Sequence, residues 1–487
     1  MKSPAGLRER MIDGTARVFL AEALIVPTGL ATVALLTRHL GPSDYGRYTL
    51  AVTIVLWLEW GFSAPFARAT VRLVGGAAEW RPMAALVLRA QLVVGLLTAL
   101  ALWLAAPAVA RTLDEPSLAP VLRLFSLDLP LFALAQAHQQ ILVALGHFRV
   151  RAILSAARWI VRLALIAAGV GFGVSVRGIV MAVVGTTAIE VALARRFVRP
   201  PLLGRTQVPV RQLFDYALPL LLSALCLRVF ERIDVVLLKF FGRTSAEVGM
   251  YGAAQNLMLA TGLFSLAFTP ILLSTLAQAV RAGDMEHARQ IARDSMKIGL
   301  LLLPLAAIVA ASAPDIVALI FGIDYVATAA VFQWLIFAGV ASVTMSVVVA
   351  VLTGGSKPVW TLYAAVPLPV VAIVAHTWAI PRYGPVGAAM VTTLCGCAGA
   401  VFGAVAVYRL WGVTPPATSA LRSVFLAGLG ALAASSWPSP GVLVVVKLAV
   451  VGLGVLLLLL ASGEFGDPRR RIDEVSNWFQ RPLRATE

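Results

Sequence analysis

Apolar runs long enough to cross a lipid bilayer fill most of this sequence. A transmembrane helix needs about 20 predominantly apolar residues, and we find about fourteen such runs along the chain. Of the 487 residues, 60% are hydrophobic and only 13% are charged, a composition far from that of a soluble globular domain. The sequence therefore predicts an all-α polytopic membrane protein.

The basic residues are distributed as a topology signal. The net charge is +16, but the Lys and Arg residues lie between the spans and not in one soluble patch, which argues against nucleic-acid binding. If the N-terminus is cytoplasmic, far more of them fall on the inner side than on the outer side, as the positive-inside rule requires. The polar N-terminus runs into the first span without a cleavage site, so we expect no removable signal peptide. We predict a bacterial inner-membrane protein with both termini cytoplasmic.

An internal repeat divides the chain. Asp44, Gly46 and Tyr48 in "PSDYGRYTLA" match Glu247, Gly249 and Tyr251 in "SAEVGMYGAA" at one common offset. Two weaker matches follow at similar offsets; chance similarity among small apolar residues is the alternative. Duplicated halves are common in transporters. We expect an N-lobe at 1–196 with spans 1 to 6, a cytoplasmic linker at 197–211, a C-lobe at 212–410 with spans 7 to 12, an appended pair of spans at 411–462 and a basic cytoplasmic tail at 463–487.

Arginines occur inside two of the spans. A charge at the bilayer centre costs about 2.5 to 3.5 kcal/mol on insertion scales, so such residues face a wet cavity or a partner. In "RAILSAARWIVRL", Arg151, Arg158 and Arg162 are spaced by seven and four residues and share one helical face. In span 7, a second polar face contains Arg228, Glu231 and Arg232, with Asp234 about 120° from Arg228.

Two interpretations of these charges are open. In the first, the arginines line a water-filled cavity between the lobes and bind an anionic headgroup, because guanidinium matches phosphate bidentately. In the second, they pair internally: Asp128 lies at about the depth of Arg162, and Glu59 lies near the depth of Arg228. We favour the cavity, since even paired charges inside a membrane tend to mark a pathway.

The sequence lacks the patterns of an enzyme or a metalloprotein. The three cysteines lie in apolar runs, and the five histidines are scattered without ligand spacing. We find no Ser-His-Asp arrangement, zinc motif or glycine-rich phosphate loop. We therefore predict no catalytic residue, no metal and no cofactor.

The order of motifs resembles that of the polysaccharide repeat-unit flippases of Wzx type, within the multidrug/oligosaccharidyl-lipid/polysaccharide exporter superfamily. The segments that carry the resemblance cover most of residues 15–410 and are "RHLGPSDYGRYTLA", "LFDYALPLLLSAL", "RIDVVLLKFFGRTSAEVGMYGAAQNL", "GDMEHARQIARDSMKIGLLLLP" and "YGPVGAAMVTTL".

The resemblance implies a V-shaped, two-lobed transporter that moves undecaprenyl-diphosphate-linked oligosaccharide to the outer leaflet by alternating access. Its partners would be the polyprenyl-diphosphate-linked glycan, the lipid bilayer and the polysaccharide polymerase machinery. Carried onto this chain, the cationic substrate-binding residues are Arg158, Arg162, Arg228 and Arg232. The carboxylates expected in the cavity or in ion coupling are Glu22, Glu59, Asp128, Glu231 and Asp234.

Three alternatives remain. A lipid II flippase shares the span count and the cavity arginines, and only the motif set disfavours it. A multidrug antiporter would typically have twelve spans and an acidic pocket. A membrane polymerase or ligase for lipid-linked glycans would carry a large outer loop, whereas every predicted outer loop here is short.

Overall fold

The computed structural model describes residues 20–77, 79–200, 232–354, 367–414 and 416–463, and in these ranges the regular secondary structure is helical. The all-α prediction is confirmed. The helices are α1 (Ile25–Gly75), α2 (Trp80–Thr112), α3 (Leu118–Phe125), α4 (Asp128–Ala144), α5 (Phe148–Gly171), α6 (Val176–Phe197), α7 (232–240), α8 (Ser245–Leu257), α9 (Leu259–Arg281), α10 (Met285–Ala311), α11 (Ala313–Phe321), α12 (Thr328–Gly354), α13 (Pro367–Trp411), α14 (Ala417–Ser435) and α15 (Leu443–Ala461).

Ten helices among the described residues are long and apolar enough to cross a membrane. Two of the described helices are too long for one crossing, because 51 residues in α1 and 45 in α13 far exceed the roughly 20 that span the hydrocarbon. Each is broken at a glycine with positive φ, Gly41 at 70° and Gly384 at 58°. A proline follows each glycine and suits the first turn of a new helix. Each long helix thus supplies two of the predicted spans.

The appended C-terminal helices pack on the second half of the chain. Apolar residues of α14 and α15, including Leu426 and Val455, form a small core with Ile308 of α10. Lys447 of α15 is only 2% exposed, and its ammonium lies 2.8 Å from a carboxylate oxygen of Asp315 in α11. A buried cation needs such a partner, so this ion pair fixes the helix pair to the body of the protein.

The two glycines matched by the internal repeat lie against each other. A Cβ atom on Gly249 would lie 2.2 Å from the carbonyl oxygen of Pro42, and one on Gly46 would lie 1.7 Å from the carbonyl oxygen of Ser245. No side chain fits at either position, so α1 and α8 touch backbone to backbone. The matched segments therefore form a close contact between the two predicted lobes at the end that our topology assigns to the outside.

This close contact gives a test. We expect Gly249→Ala to lower the free energy of unfolding by about 1 to 3 kcal/mol, since overpacking forces the backbones apart. Thermal unfolding in detergent measures the effect. Gly428→Ala is the control, because nothing lies within 4 Å of the Cβ it would add. Equal melting temperatures for the two variants would contradict the contact.

Candidate functional site

A cavity of about 630 Å³ lies between N-terminal helices of the chain on one side and helices α7 and α8 on the other. Its volume is in the range of small-molecule sites. Helices α1, α4 and α5 supply most of its wall, while Arg232 of α7 and Asn256 of α8 close it from the other side. Among the residues predicted from sequence, those that line it are Glu22, Glu59, Arg158, Arg162 and Arg232.

The arginine face of α5 points into this cavity. Arg151, Arg158 and Arg162 all line it, as their spacing along one helical face requires. The three cations are therefore stacked along the cavity wall from one end of the span toward its middle. We call them the arginine ladder.

Arg158 is held by a carboxylate from the neighbouring helix. Its Nε lies 3.4 Å from Oε2 of Glu190 in α6, whose side chain is 1% exposed. The Gln139 amide donates to the other carboxylate oxygen of Glu190. The guanidinium carbon also lies 5.4 Å from the ring centroid of Phe132 and 5.7 Å from that of Trp159, within cation–π range. Glu190 thus contacts Arg158 on the side away from the cavity, and Arg158 itself lines the cavity.

Arg162 has a different set of neighbours. It donates a hydrogen bond of 3.4 Å to the hydroxyl of Tyr48 in α1. Asp128 and Glu59 lie within electrostatic range of the guanidinium. The carboxyl groups of Glu59 and Asp128 are buried next to each other, and both also interact electrostatically with Arg158. Asp128 therefore lies behind the cavity wall, close to Arg162 as its depth predicts.

At the other end of the ladder, Arg151 and Glu22 form an ion pair with an N···O distance of 3.7 Å. Ser155 donates a hydrogen bond of 3.1 Å to the same carboxylate. Both charged side chains are about 30% exposed. The cavity and pairing interpretations therefore each describe part of the site: the arginines line a cavity, and acidic groups accompany them.

The charged residues predicted on span 7 do not lie in one site. Arg232 lines the cavity, whereas Asp234 does not. Asp234 is buried and accepts hydrogen bonds from Tyr251 at 2.6 Å, Gln255 at 2.9 Å and Thr392 at 3.2 Å. It belongs to a second polar cluster inside the C-terminal half. Arg228 and Glu231 lie outside the described residues.

Sequence reasoning did not select several residues of this site, among them Glu190, Gln139 and the cavity-lining Trp57, Trp60 and Trp159. The sequence did contain a signal that could have identified Glu190 as a partner of Arg158. Helices α5 and α6 are joined by the short turn at 172–175, and positions at similar distances from such a turn meet in an antiparallel pair. Residues 158 and 190 satisfy this condition approximately.

A polar cluster joins the two halves of the chain at the end that the predicted topology assigns to the outside. Glu115, in the loop between α2 and α3, lies 3.2 Å from Nε of Arg47 and 3.0 Å from Nζ of Lys239. Ser117 donates to its Oε1 at 2.5 Å, and Ser245 donates to its Oε2. We call Arg47, Glu115, Lys239 and Ser245 the outer clasp, because it joins the N-terminal helices to α7 and α8.

The environment of Glu115 fixes its charge. Burial alone would raise the pKa of its carboxyl, but hydrogen bonds from Ser117, Ser245 and Lys239, together with the Lys239 charge, outweigh burial and lower the pKa to about 2. Glu115 is therefore ionised at neutral pH and binds both cations.

Further contacts seal the same end. Asn256 donates a hydrogen bond of 3.2 Å to the hydroxyl of Tyr45, and the Tyr45 ring lies 6.4 Å from that of Tyr325. Arg38 of α1 donates to the carbonyl oxygens of Leu319 and Ile320 at the end of α11, where a cation is favourable.

In the described part of the chain, no three His, Cys, Asp or Glu side chains are arranged to hold a metal ion.

The helix order, the two bent helices and the cavity between two helical bodies define the class of fold. It is similar to that of the lipid II flippase MurJ in an inward closed conformation, with a TM-score of 0.75 and 16% identity over 93% of this chain and 98% of that one. It is also similar to an inward-facing multidrug resistance MATE transporter of the MOP superfamily, with a TM-score of 0.59 and 16% identity over 85% and 96% of the two chains. A MATE transporter of Vibrio cholerae gives a TM-score of 0.58 and 15% identity over 84% and 99%. The chain thus has a fold similar to those of MurJ and the MATE transporters.

The family follows from the sequence itself. The model of the polysaccharide biosynthesis protein family matches residues 35–330, more than half of the chain and the part that contains α2 to α11. The chain belongs to this family. No curated protein matches the sequence significantly. The resemblance to a polysaccharide flippase-type family is confirmed.

The outer clasp predicts a pH dependence. Because the folded pKa of Glu115 is below its ordinary value of about 4.3, its contribution to stability is present above about pH 4.3 and is lost as the pH falls toward about 2. We expect Glu115→Gln to melt at a lower temperature than wild type at pH 7, and the difference to shrink between pH 5 and pH 3. Glu79→Gln, at an exposed carboxylate, is the control. A difference that does not change with pH would rule out this role.

Proposed function

We propose that this protein flips undecaprenyl-diphosphate-linked oligosaccharide repeat units across the bacterial inner membrane by alternating access. The observation that carries the proposal is the arginine ladder inside a cavity between two helical bodies. A diphosphate is the anionic part of such a lipid, and guanidinium groups bind phosphate oxygens in pairs while staying charged when partly buried.

The remaining cavity lining suits a glycan headgroup. Three indole side chains, Trp57, Trp60 and Trp159, share the wall with the amide side chains of Gln136 and Asn256. Aromatic rings offer apolar faces to sugar rings, and amides both donate and accept hydrogen bonds. At about 630 Å³, the cavity has room for a headgroup, and the polyprenyl chain would stay in the bilayer.

The closed end of the cavity supports a transport cycle. In the present state, the outer clasp and the glycine contact join the two bodies at the end that the predicted topology places outside. Transport requires this end to open and the opposite end to close. We infer that the structure represents a state ready to receive the lipid headgroup from the inner leaflet.

An ion gradient is the proposed energy source, and carboxylates of the predicted spans are the candidates for coupling. In the N-terminal half these are Glu22, Glu59 and Asp128, which lie beside the arginine ladder. In the C-terminal half they are Asp234, in its separate hydrogen-bonded cluster, and Glu231. Carboxylates inside membrane spans commonly mark ion or proton pathways.

Two other substrates remain candidates because a specific observation favours each. The likeness in fold to MurJ favours lipid II, which would use the same diphosphate recognition. The likeness in fold to MATE transporters favours a drug cation, but that ligand would meet arginines along the cavity wall. The membrane polymerase or ligase has no comparable support. Polysaccharide polymerase machinery would be the partner that receives the flipped glycan.

A double substitution tests the proposed function. We expect Arg158→Leu with Arg162→Leu to reduce flipping of a diphosphate-linked oligosaccharide at least about 100-fold, since two charge-assisted contacts of about 1.5 to 3 kcal/mol each are lost. The measurement is protection of a labelled lipid from an external glycosidase after reconstitution into proteoliposomes. Arg111→Leu, at an exposed arginine at the end of α2, is the control.

The same assay with three substrates separates the alternatives. The proposal expects the Arg-dependent signal with the repeat-unit lipid. A signal with lipid II alone would reassign the protein as a lipid II flippase, and uptake of a drug cation without lipid flipping would reassign it as an antiporter. Full flipping of the repeat-unit lipid by the double variant would overturn the role of the ladder.

A further inference from the structure

We infer that Glu190 sets the affinity of the cavity for a diphosphate by partly neutralising Arg158 from behind the cavity wall, so that the headgroup can be released. This inference rests on the proposed function, because it concerns how the same cavity handles its anionic ligand. Glu190 is a positioning residue: it acts through Arg158 and is itself not part of the cavity lining.

The geometry separates Glu190 from the ligand. Its side chain is 1% exposed and lies on α6, which packs behind α5. It meets Arg158 at Nε, and Nε is only one of three nitrogens of the guanidinium. The two terminal nitrogens form an edge that can bind phosphate oxygens bidentately. The ion pair with Glu190 therefore leaves the phosphate-binding edge of Arg158 to the cavity.

Glu190 is itself fixed in place. The Gln139 amide donates to Oε1, while Oε2 faces Arg158. Gln139 also lines the cavity, so the carboxylate is screened from the cavity by the amide and by Arg158. This arrangement keeps the negative charge close to the cation at a constant distance.

The charge balance among the described residues of the site supports a tuning role. Within the described ranges, four arginines line the cavity: Arg151, Arg158, Arg162 and Arg232. Four carboxyl groups accompany them: Glu22 and Glu59 in the lining, with Asp128 and Glu190 buried behind it. A site with four uncompensated cations would hold a diphosphate too tightly for turnover, since binding that is equally strong before and after the crossing slows release. Compensation by buried acids weakens the site without removing its donors.

Replacement by glutamine tests the charge alone. Glu190→Gln keeps the size of the side chain and an oxygen acceptor for Nε of Arg158, but removes one negative charge. We expect the purified, folded variant to bind inorganic pyrophosphate at least about tenfold more tightly than wild type, as the Coulomb energy of one unit charge at close range in a protein implies. Isothermal titration calorimetry in detergent measures it. If Glu190→Gln does not fold, Glu190→Met is the second neutral variant, with the same expected direction.

Two controls isolate the effect. Glu190→Asp keeps the charge and should bind pyrophosphate within about twofold of wild type. Glu247→Gln removes a carboxylate from another arginine pair, with Arg243 at 3.8 Å, outside the cavity lining; its binding should equal that of wild type. In the flipping assay, Glu190→Gln should lower both KM and the maximal rate. A purely structural role would lower the amount of active protein and leave KM unchanged.

The outcomes distinguish this inference from the function on which it rests. If wild type binds pyrophosphate through Arg158 and Arg162 but Glu190→Gln binds no more tightly, the role of Glu190 is wrong and the proposed function stands. If the Arg158→Leu, Arg162→Leu variant binds pyrophosphate as wild type does, or if neither binds it, both are wrong.

Discussion

The cost of placing a charge in hydrocarbon determines much of this structure. A cation inside a membrane span must face water or a partner, and the described spans show both solutions. Lys447 is buried against Asp315, and this pair attaches the C-terminal helices. Arg158 and Arg162 have partners on one side and a cavity on the other. The Lys447–Asp315 pair joins two helices, whereas the two arginines also present hydrogen-bond donors to the cavity.

Helical periodicity was sufficient to predict the arginine ladder, but not its partners. The spacing of Arg151, Arg158 and Arg162 determines a shared face whatever the surroundings, and all three line the cavity. The partner of Arg158 depends on which helix packs behind α5, and depth along a span does not specify that. Glu190 follows only when α5 and α6 are treated as an antiparallel pair about their short turn. The same periodicity separates Arg232 from Asp234: they are two residues apart, about 200° around the helix, and the structure places one in the cavity and the other in a separate cluster.

The glycines matched by the internal repeat meet in the fold, a contact that the repeat itself did not predict. Gly46 and Gly249 match in sequence and pack backbone to backbone, as expected if equivalent segments of a duplicated unit meet where the halves join. The matched tyrosines have opposite neighbours. Tyr48 accepts a hydrogen bond from the Arg162 cation, whereas Tyr251 donates one to the Asp234 carboxylate. A phenolic hydroxyl can do either, so the same scaffold position serves a cationic site in one half and an anionic one in the other.

If the two halves separate at the outer clasp, its carboxylate does not lose all of its partners. Glu115 binds Arg47 and Lys239 together, and only Lys239 belongs to the C-terminal half. If the two halves separate, Glu115 keeps Arg47 and Ser117, while Lys239 keeps its hydrogen bond of 3.1 Å to Ser245. Glu115 and Lys239 are both buried in this state, and water admitted by the opening solvates the separated charges and offsets part of the lost attraction. The glycine contact has no such replacement, because its stability comes from close packing that water cannot reproduce. The packing of Gly46 against Gly249 therefore adds to the barrier to opening a contribution that water does not offset.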